Sequence, residues 1–164
     1  SWPLDAARAA EVLDTNARGC VNLAAAVLPG MLARGRGRFC GIASIAGVVG
    51  LPGNAAYCAS KAAVVAFLES LRLDAAAGGI LVTTVLPGVV DTPMVTDAER
   101  RAGGLVPAAV AAASILRAVE RGRPELWFPL RTAILARLAR GLPPTIRDLL
   151  LRRQPRMEES GGGA

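Results

Sequence analysis

The chain of 164 residues has 19 basic and 13 acidic side chains, no histidine, a formal net charge of +6 and 52% apolar residues, with a mean hydropathy of +0.41. Such a chain buries a sizeable core within one domain and is neither disordered nor collagen-like. Without histidine, a histidine-based triad and a histidine-ligated metal are excluded, and the longest apolar stretches, Ile42 to Leu51 and Leu105 to Leu116, fall short of the roughly 18 residues a membrane span needs.

The first residues, Ser1-Trp2-Pro3-Leu4-Asp5, lack the basic-then-apolar layout of a signal peptide. Residues 5–35 place Val12, Leu13, Val21, Leu23, Leu28 and Leu32 at helical spacing and stop at Gly35. Arg38 to Ser44 is expected as a short buried strand, followed by a loop from Ile45 to Gly53. Asn54 is placed to cap a long helix over 54–77, which Gly78-Gly79 would end. The run Ile80-Leu81-Val82-Thr83-Thr84-Val85-Leu86 is apolar and β-branched almost throughout, the pattern of a parallel strand covered on both faces. A loop from Pro87 to Thr96 comes next, then helices near Asp97 to Ala102 and Pro107 to Arg121, and a last strand from Glu125 to Phe128. Helices alternating with strands imply right-handed crossovers and an α/β fold, a doubly wound parallel sheet of the Rossmann type.

Beyond residue 129 the pattern changes. Leu130, Ile134, Leu135 and Leu138 share a helical face, with Arg131, Arg137 and Arg140 mostly off it. After Pro143-Pro144, Thr145 with Asp148 has the form of a capping box opening a second short helix. The organisation expected is therefore a unit over 1–129, an amphipathic helical extension over 130–153 packed on the core or over a substrate pocket, and a flexible tail over 154–164. Cys20, Cys40 and Cys58 are odd in number and widely spaced, with no C-x-x-C. They indicate neither a disulfide framework nor a zinc site, and point to the cytoplasm. Arginine supplies all but one of the basic residues and is not interleaved with aromatics, so nucleic acid is not expected as a partner.

The one tyrosine and the one lysine, Tyr57 and Lys61, stand four residues apart in the long helix, which puts them on one face. A phenol titrates near 10 and exchanges protons poorly at neutral pH. A cation beside it favours the phenolate and brings it toward the working range. Lysine's compact ammonium on a flexible stem can reach a sugar hydroxyl as well. Ser44, 13 residues earlier, falls at the carboxyl end of the first strand, where ligands bind in open α/β sheets. A surface tyrosine beside a surface lysine is the plainer alternative for this pair.

These residues resemble the short-chain dehydrogenase/reductase family over roughly residues 10–129. Ser44 followed by Tyr57-Cys58-Ala59-Ser60-Lys61 is similar to the family's Ser…Tyr-x-x-x-Lys active site. Asn16, within Leu13-Asp14-Thr15-Asn16-Ala17-Arg18-Gly19, is similar to the asparagine that completes its tetrad. Pro87-Gly88-Val89-Val90-Asp91-Thr92 is similar to its Pro-Gly-x-x-x-Thr segment, which holds the nicotinamide carboxamide. The resemblance implies hydride transfer between NAD or NADP and an alcohol or carbonyl substrate. Tyr57 would be the general acid/base, Lys61 would lower its pKa and bind the nicotinamide ribose, Ser44 would polarise the substrate oxygen, and Asn16 would support a proton relay. Tyr57, Lys61, Pro87, Gly88, Val90 and Thr92 would contact the cofactor, and no metal is implied. An apolar lid of Met94, Val95, Leu105 and Val106 would favour an apolar substrate.

The family's Thr-Gly-x-x-x-Gly-x-Gly turn does not occur in these residues; Gly47-x-x-Gly50-x-x-Gly53 lies in the loop after Ser44 instead. The resemblance therefore implies the C-terminal half of the sheet, as part of a longer dehydrogenase or a truncated relative. Three functional classes stay open: an oxidoreductase, a non-catalytic remnant associating through helices 5–35 and 54–77 as a homo-oligomer, and a basic protein that binds membrane surfaces through residues 130–153.

Overall fold

The computed structural model describes residues 4–93, 95–102 and 104–152. Met94 of the expected lid and the expected tail over 154–164 lie outside the described residues. The elements in chain order are α1 (Ala6–Leu13), a π turn (Asp14–Arg18), α2 (Gly19–Ala33), β1 (Gly37–Ile42), a 3-10 turn (Ile45–Gly47), α3 (Ala55–Ala76) and β2 (Ile80–Pro87). They continue as β3 (Val90–Asp91), α4 (Asp97–Ala102), β4 (Val106–Pro107), α5 (Ala108–Glu120), β5 (Glu125–Phe128), α6 (Leu130–Gly141) and α7 (Pro144–Leu151).

The apolar run over 80–86 takes the middle of a three-stranded parallel sheet of order β1-β2-β5. Its side chains from Val82 to Leu86 are buried in succession, because helices cover both faces of a parallel sheet. Register pairs Ile42 with Val85 on one side and Pro87 with Phe128 on the other, so the carboxyl ends of all three strands finish together. The core joins Ala24 of α2, Phe39 of β1, Val64 and Leu68 of α3, and Ile80, Val82 and Leu86 of β2. This is the expected α/β class with its parallel sheet and flanking helices.

Several local expectations need correction. The helix over 5–35 is broken at its centre by the π turn, where the Gly19 N–H donates to the Asp14 carbonyl, five residues back. Ser44 lies two residues beyond the end of β1, extended at φ −166°. Asn54 occupies the N-cap of α3 without a side-chain capping bond. β3 and β4 form a two-residue parallel bridge, too short to leave any hydrophobic period in the sequence.

The largest difference concerns residues 130–151. No capping box forms: α7 has Pro143 at its N-cap, no side chain capping it, and Thr145 inside the first turn. In α6 the expected inward leucine face is turned outward. Ala133 and Ala136 are buried, and Leu130, Ile134, Leu135 and Leu138 are exposed. Alanine lets the helix axis come close to its support, and Arg137 adds to the seating by stacking over Trp127, 4.3 Å from the ring centre. No helix among the described residues is long and apolar enough to cross a membrane.

Candidate active site

The carboxyl ends of β1 and β2 and the first turns of α3 bring most of the singled-out residues to one region. Lys61 is half-buried in α3, and its Nζ donates to the carbonyl of Ile42, the last residue of β1, at 3.1 Å. The same ammonium lies 5.6 Å from the centre of the Tyr57 ring, so the helical spacing does put the cation against the phenol's ring. The 3-10 turn after Ser44 seats itself on the backbone of the same helix. A Cβ on Gly47 would stand 2.7 Å from the carbonyl carbon and oxygen of Lys61, so only glycine permits this approach.

Ser44 belongs to that turn. Its Oγ accepts the N–H of Ala46 at 3.1 Å, which caps the turn and holds the hydroxyl where β1 ends. Pro87 and Gly88 leave β2 beside it: the Gly88 N–H donates to Phe128 at 2.7 Å, and Gly88 faces Pro129 and the Ile45 side chain. Val90 is half-buried in β3, and Thr92, also half-buried, is the residue just beyond that strand. Arg100 of α4 pins this segment by pairing with the Asp91 carboxylate at 2.6 Å and donating to the Thr92 carbonyl at 2.9 Å. Of the expected lid, Val95, Leu105 and Val106 are half-buried, Val106 within β4.

Asn16 reaches α3 by way of the π turn. Its Nδ2 donates to Ser60 Oγ at 3.1 Å, and that hydroxyl donates to the Tyr57 carbonyl at 2.8 Å. A π turn adds one residue to the helical register, and such turns recur at functional sites. Ser60, fully buried, is a residue to which the sequence pattern assigns no role. It links Asn16 to the turn of α3 that carries Tyr57. Its position three residues after Tyr57, where a serine bonds back along its own helix, is the only sequence signal for it. The Ile42 carbonyl, being backbone, has no sequence signal at all.

Burial pushes the Lys61 ammonium below its ordinary value of 10.5, and the nearby Cys20 thiol partly opposes that shift. Burial pushes the thiols of Cys20, Cys40 and Cys58 above their ordinary 9.0. As pH rises above 9.0, the unfolded chain releases thiol protons that the native protein keeps, so these three groups lose stability with pH. Between its depressed native value and 10.5, Lys61 acts the other way, because the unfolded chain holds the extra proton. Cys40→Ala removes one of the three thiols, so its urea-unfolding midpoint is expected to rise relative to the parent's as pH increases above 9.0. A difference between the two midpoints that stays constant across this range would contradict the buried Cys40 thiol.

A cavity of about 680 Å³ is lined by the 3-10 turn, α3, β5 and α6, and neither Tyr57 nor Lys61 lines it.

The sequence pattern of short chain dehydrogenases matches residues 3–103. The chain is 37% identical over 142 residues to an uncharacterized oxidoreductase of Myxococcus xanthus, covering 87% of this chain and 56% of that one. It is 34% identical over 146 residues to a dehydrogenase/reductase SDR family protein 7-like of Anopheles gambiae, covering 82% and 46%. A short chain dehydrogenase from Burkholderia cenocepacia, solved in complex with NADP, superposes with a TM-score of 0.77 at 26% identity, covering 92% of this chain and 61% of that one. The chain thus spans about half the length of the relatives it matches.

Proposed function

The chain belongs to the short-chain dehydrogenase family, and from that premise we propose that it carries the proton-transfer and nicotinamide-contacting apparatus of an NAD(P)-linked oxidoreductase that interconverts an alcohol with its ketone or aldehyde. The observation that carries this reading is the Lys61 ammonium, bonded to the Ile42 carbonyl at 3.1 Å and lying against the Tyr57 ring. An ammonium has three N–H donors. The Ile42 carbonyl takes one and anchors the group, which leaves donors for a ribose hydroxyl.

The donor set fits a nicotinamide dinucleotide. The Lys61 ammonium is bonded to the last residue of β1, the half-buried residues Pro87 to Val90 lead out of β2, and Thr92 follows β3; ligands of open α/β sheets bind outside the carboxyl ends of the strands. When bound, NAD or NADP gives or takes the hydride at the substrate carbon. Everything else falls to this chain. Tyr57 exchanges a proton with the substrate oxygen, Lys61 holds the phenol's pKa down and binds the ribose, and Ser44 positions the oxygen. Asn16 orients the Tyr57 turn through Ser60 and supports proton relay on the Lys61 side. The binding of NADP by the Burkholderia relative supports the cofactor class. Val95, Leu105 and Val106 favour an apolar alcohol or ketone.

In this reading residues 1–129 are the catalytic part of the domain, its C-terminal part, and residues 130–153 are appended to it. Homo-oligomerisation through residues 5–35 and 54–77 is part of the same proposal, supported by the exposed Val21, Leu23, Leu32 and Leu73 on those helices.

The test is Lys61→Arg in the protein as its gene encodes it. A guanidinium keeps the charge but is planar and longer, and it does not reproduce a compact ammonium held between a carbonyl, a phenol and a ribose. Turnover is expected to fall at least about tenfold, with weaker dinucleotide binding and an unchanged unfolding midpoint. Wild-type kinetics in this variant would refute the assignment.

A further inference from the structure

The apolar side chains that α6 and α7 turn to solvent have no role in the fold or the site described above. Leu130, Leu135 and Leu138 are 70%, 65% and 63% exposed, and Ile134 lies among them. On α7, Ile146, Leu149 and Leu150 are exposed in the same way, while Leu151 on the opposite side packs on the core. A helix whose alanines face the protein and whose leucines face water is inverted relative to an ordinary surface helix. Exposed apolar side chains grouped on successive turns of one helix, as on α6, mark an interaction site.

The charge around this face says what it meets. Residues 130–152 hold five arginines against the single carboxylate of Asp148. Arg137 and Arg140 line the cavity beside Trp127 and Glu125 and Arg147 pairs with Asp148, which leaves the exposed Arg131 and Arg152 as the cations of the outward side. Arg131 sits within the leucine face itself. Leucine flanked by arginine, on helices too short and too charged to span, is the composition of a segment that lies in the plane of an anionic bilayer. A nucleic-acid surface would need stacking aromatics, and residues 130–152 contain none. Since α6 and α7 are seated on the domain through Ala133, Ala136 and Leu151, they form a preset platform and need not fold on contact.

We propose that the outward face of α6 and α7 docks the protein on the surface of membranes rich in anionic lipid, with the leucines entering the headgroup layer and the arginines pairing with phosphates. The proposal is independent of the catalytic reading. Flotation of the full chain with vesicles of phosphatidylcholine alone, and with about a third of the lipid replaced by phosphatidylglycerol, tests it. Binding is expected at least about tenfold stronger to the anionic vesicles and weaker at high salt. The double variant Leu135→Glu/Leu138→Glu changes only exposed positions; it should unfold like the parent and lose binding about tenfold or more even at low salt. Arg131→Gln/Arg152→Gln should weaken binding to anionic vesicles alone. Absence of flotation, equal flotation with both lipids, or full binding by the glutamate variant would each overturn the proposal. So would a concentration-dependent dimer that the glutamate variant abolishes, or binding of single-stranded DNA, if the vesicles do not float the protein.

Discussion

Tyr57→Phe is expected to lower turnover by about 10²–10⁴-fold, the usual contribution of a positioned acid/base group, with dinucleotide affinity unchanged. The substitution deletes one hydroxyl and nothing else. The ring stays in α3, where the Lys61 ammonium still finds its π face at a spacing like the present 5.6 Å. The Tyr57 carbonyl still accepts from Ser60 at 2.8 Å, because that bond is to backbone. The Lys61 anchor on Ile42 is equally independent of the phenol. What disappears is the atom proposed to exchange a proton with the substrate oxygen, so kcat should fall and cofactor binding should not. Steady-state rates and dinucleotide titration on the same preparation separate the two. Retained turnover would sink the acid/base role, and loss of binding with loss of rate would place the phenol's main contribution on the cofactor instead of on proton exchange.

Leu68→Ala should destabilise the protein by about 3 kcal/mol or more, in the range of buried leucine truncations that leave a cavity. Leu68 is fully buried where α3 crosses β1 and β2. Its two methyl groups fill the space that a side chain at Gly41 would take, and a Cβ on Gly41 would run into Leu68 Cδ1. Gly41→Ala alone therefore overpacks the same point and costs about 1–3 kcal/mol. Because the two substitutions act on one volume in opposite senses, their effects should not add. Gly41→Ala/Leu68→Ala is expected to lie closer to wild type than the sum of the single variants, measured by urea unfolding at neutral pH. Strict additivity would show that the helix and strand relax independently, contrary to this contact.

Much of the fold follows from local chemistry. Seven consecutive apolar or β-branched residues from Ile80 can satisfy their faces only between two layers, and β2 is the central strand. The pairing of Tyr57 with Lys61 needs nothing beyond 3.6 residues per turn, and the ammonium does lie against the ring. The partners of that pair were decided elsewhere. Lys61 is anchored by a carbonyl in another element, and every residue has a carbonyl, so no residue type announces it. Asn16 meets Ser60 only because a π turn shifts the helical register by one residue, and five ordinary residues, Asp14 to Arg18, carry no mark of it.

The arrangement of α6 makes the same division plainest. Its sequence alone determines that leucines and alanines occupy different sides of a helix. Which side is buried depends on how close the helix must come to its neighbours, and the seat beside β5 and the 3-10 turn accepts Ala133 and Ala136. Periodicity is a property of the chain, whereas the choice of buried face is a property of the surface it meets, and only the tertiary structure supplies that surface.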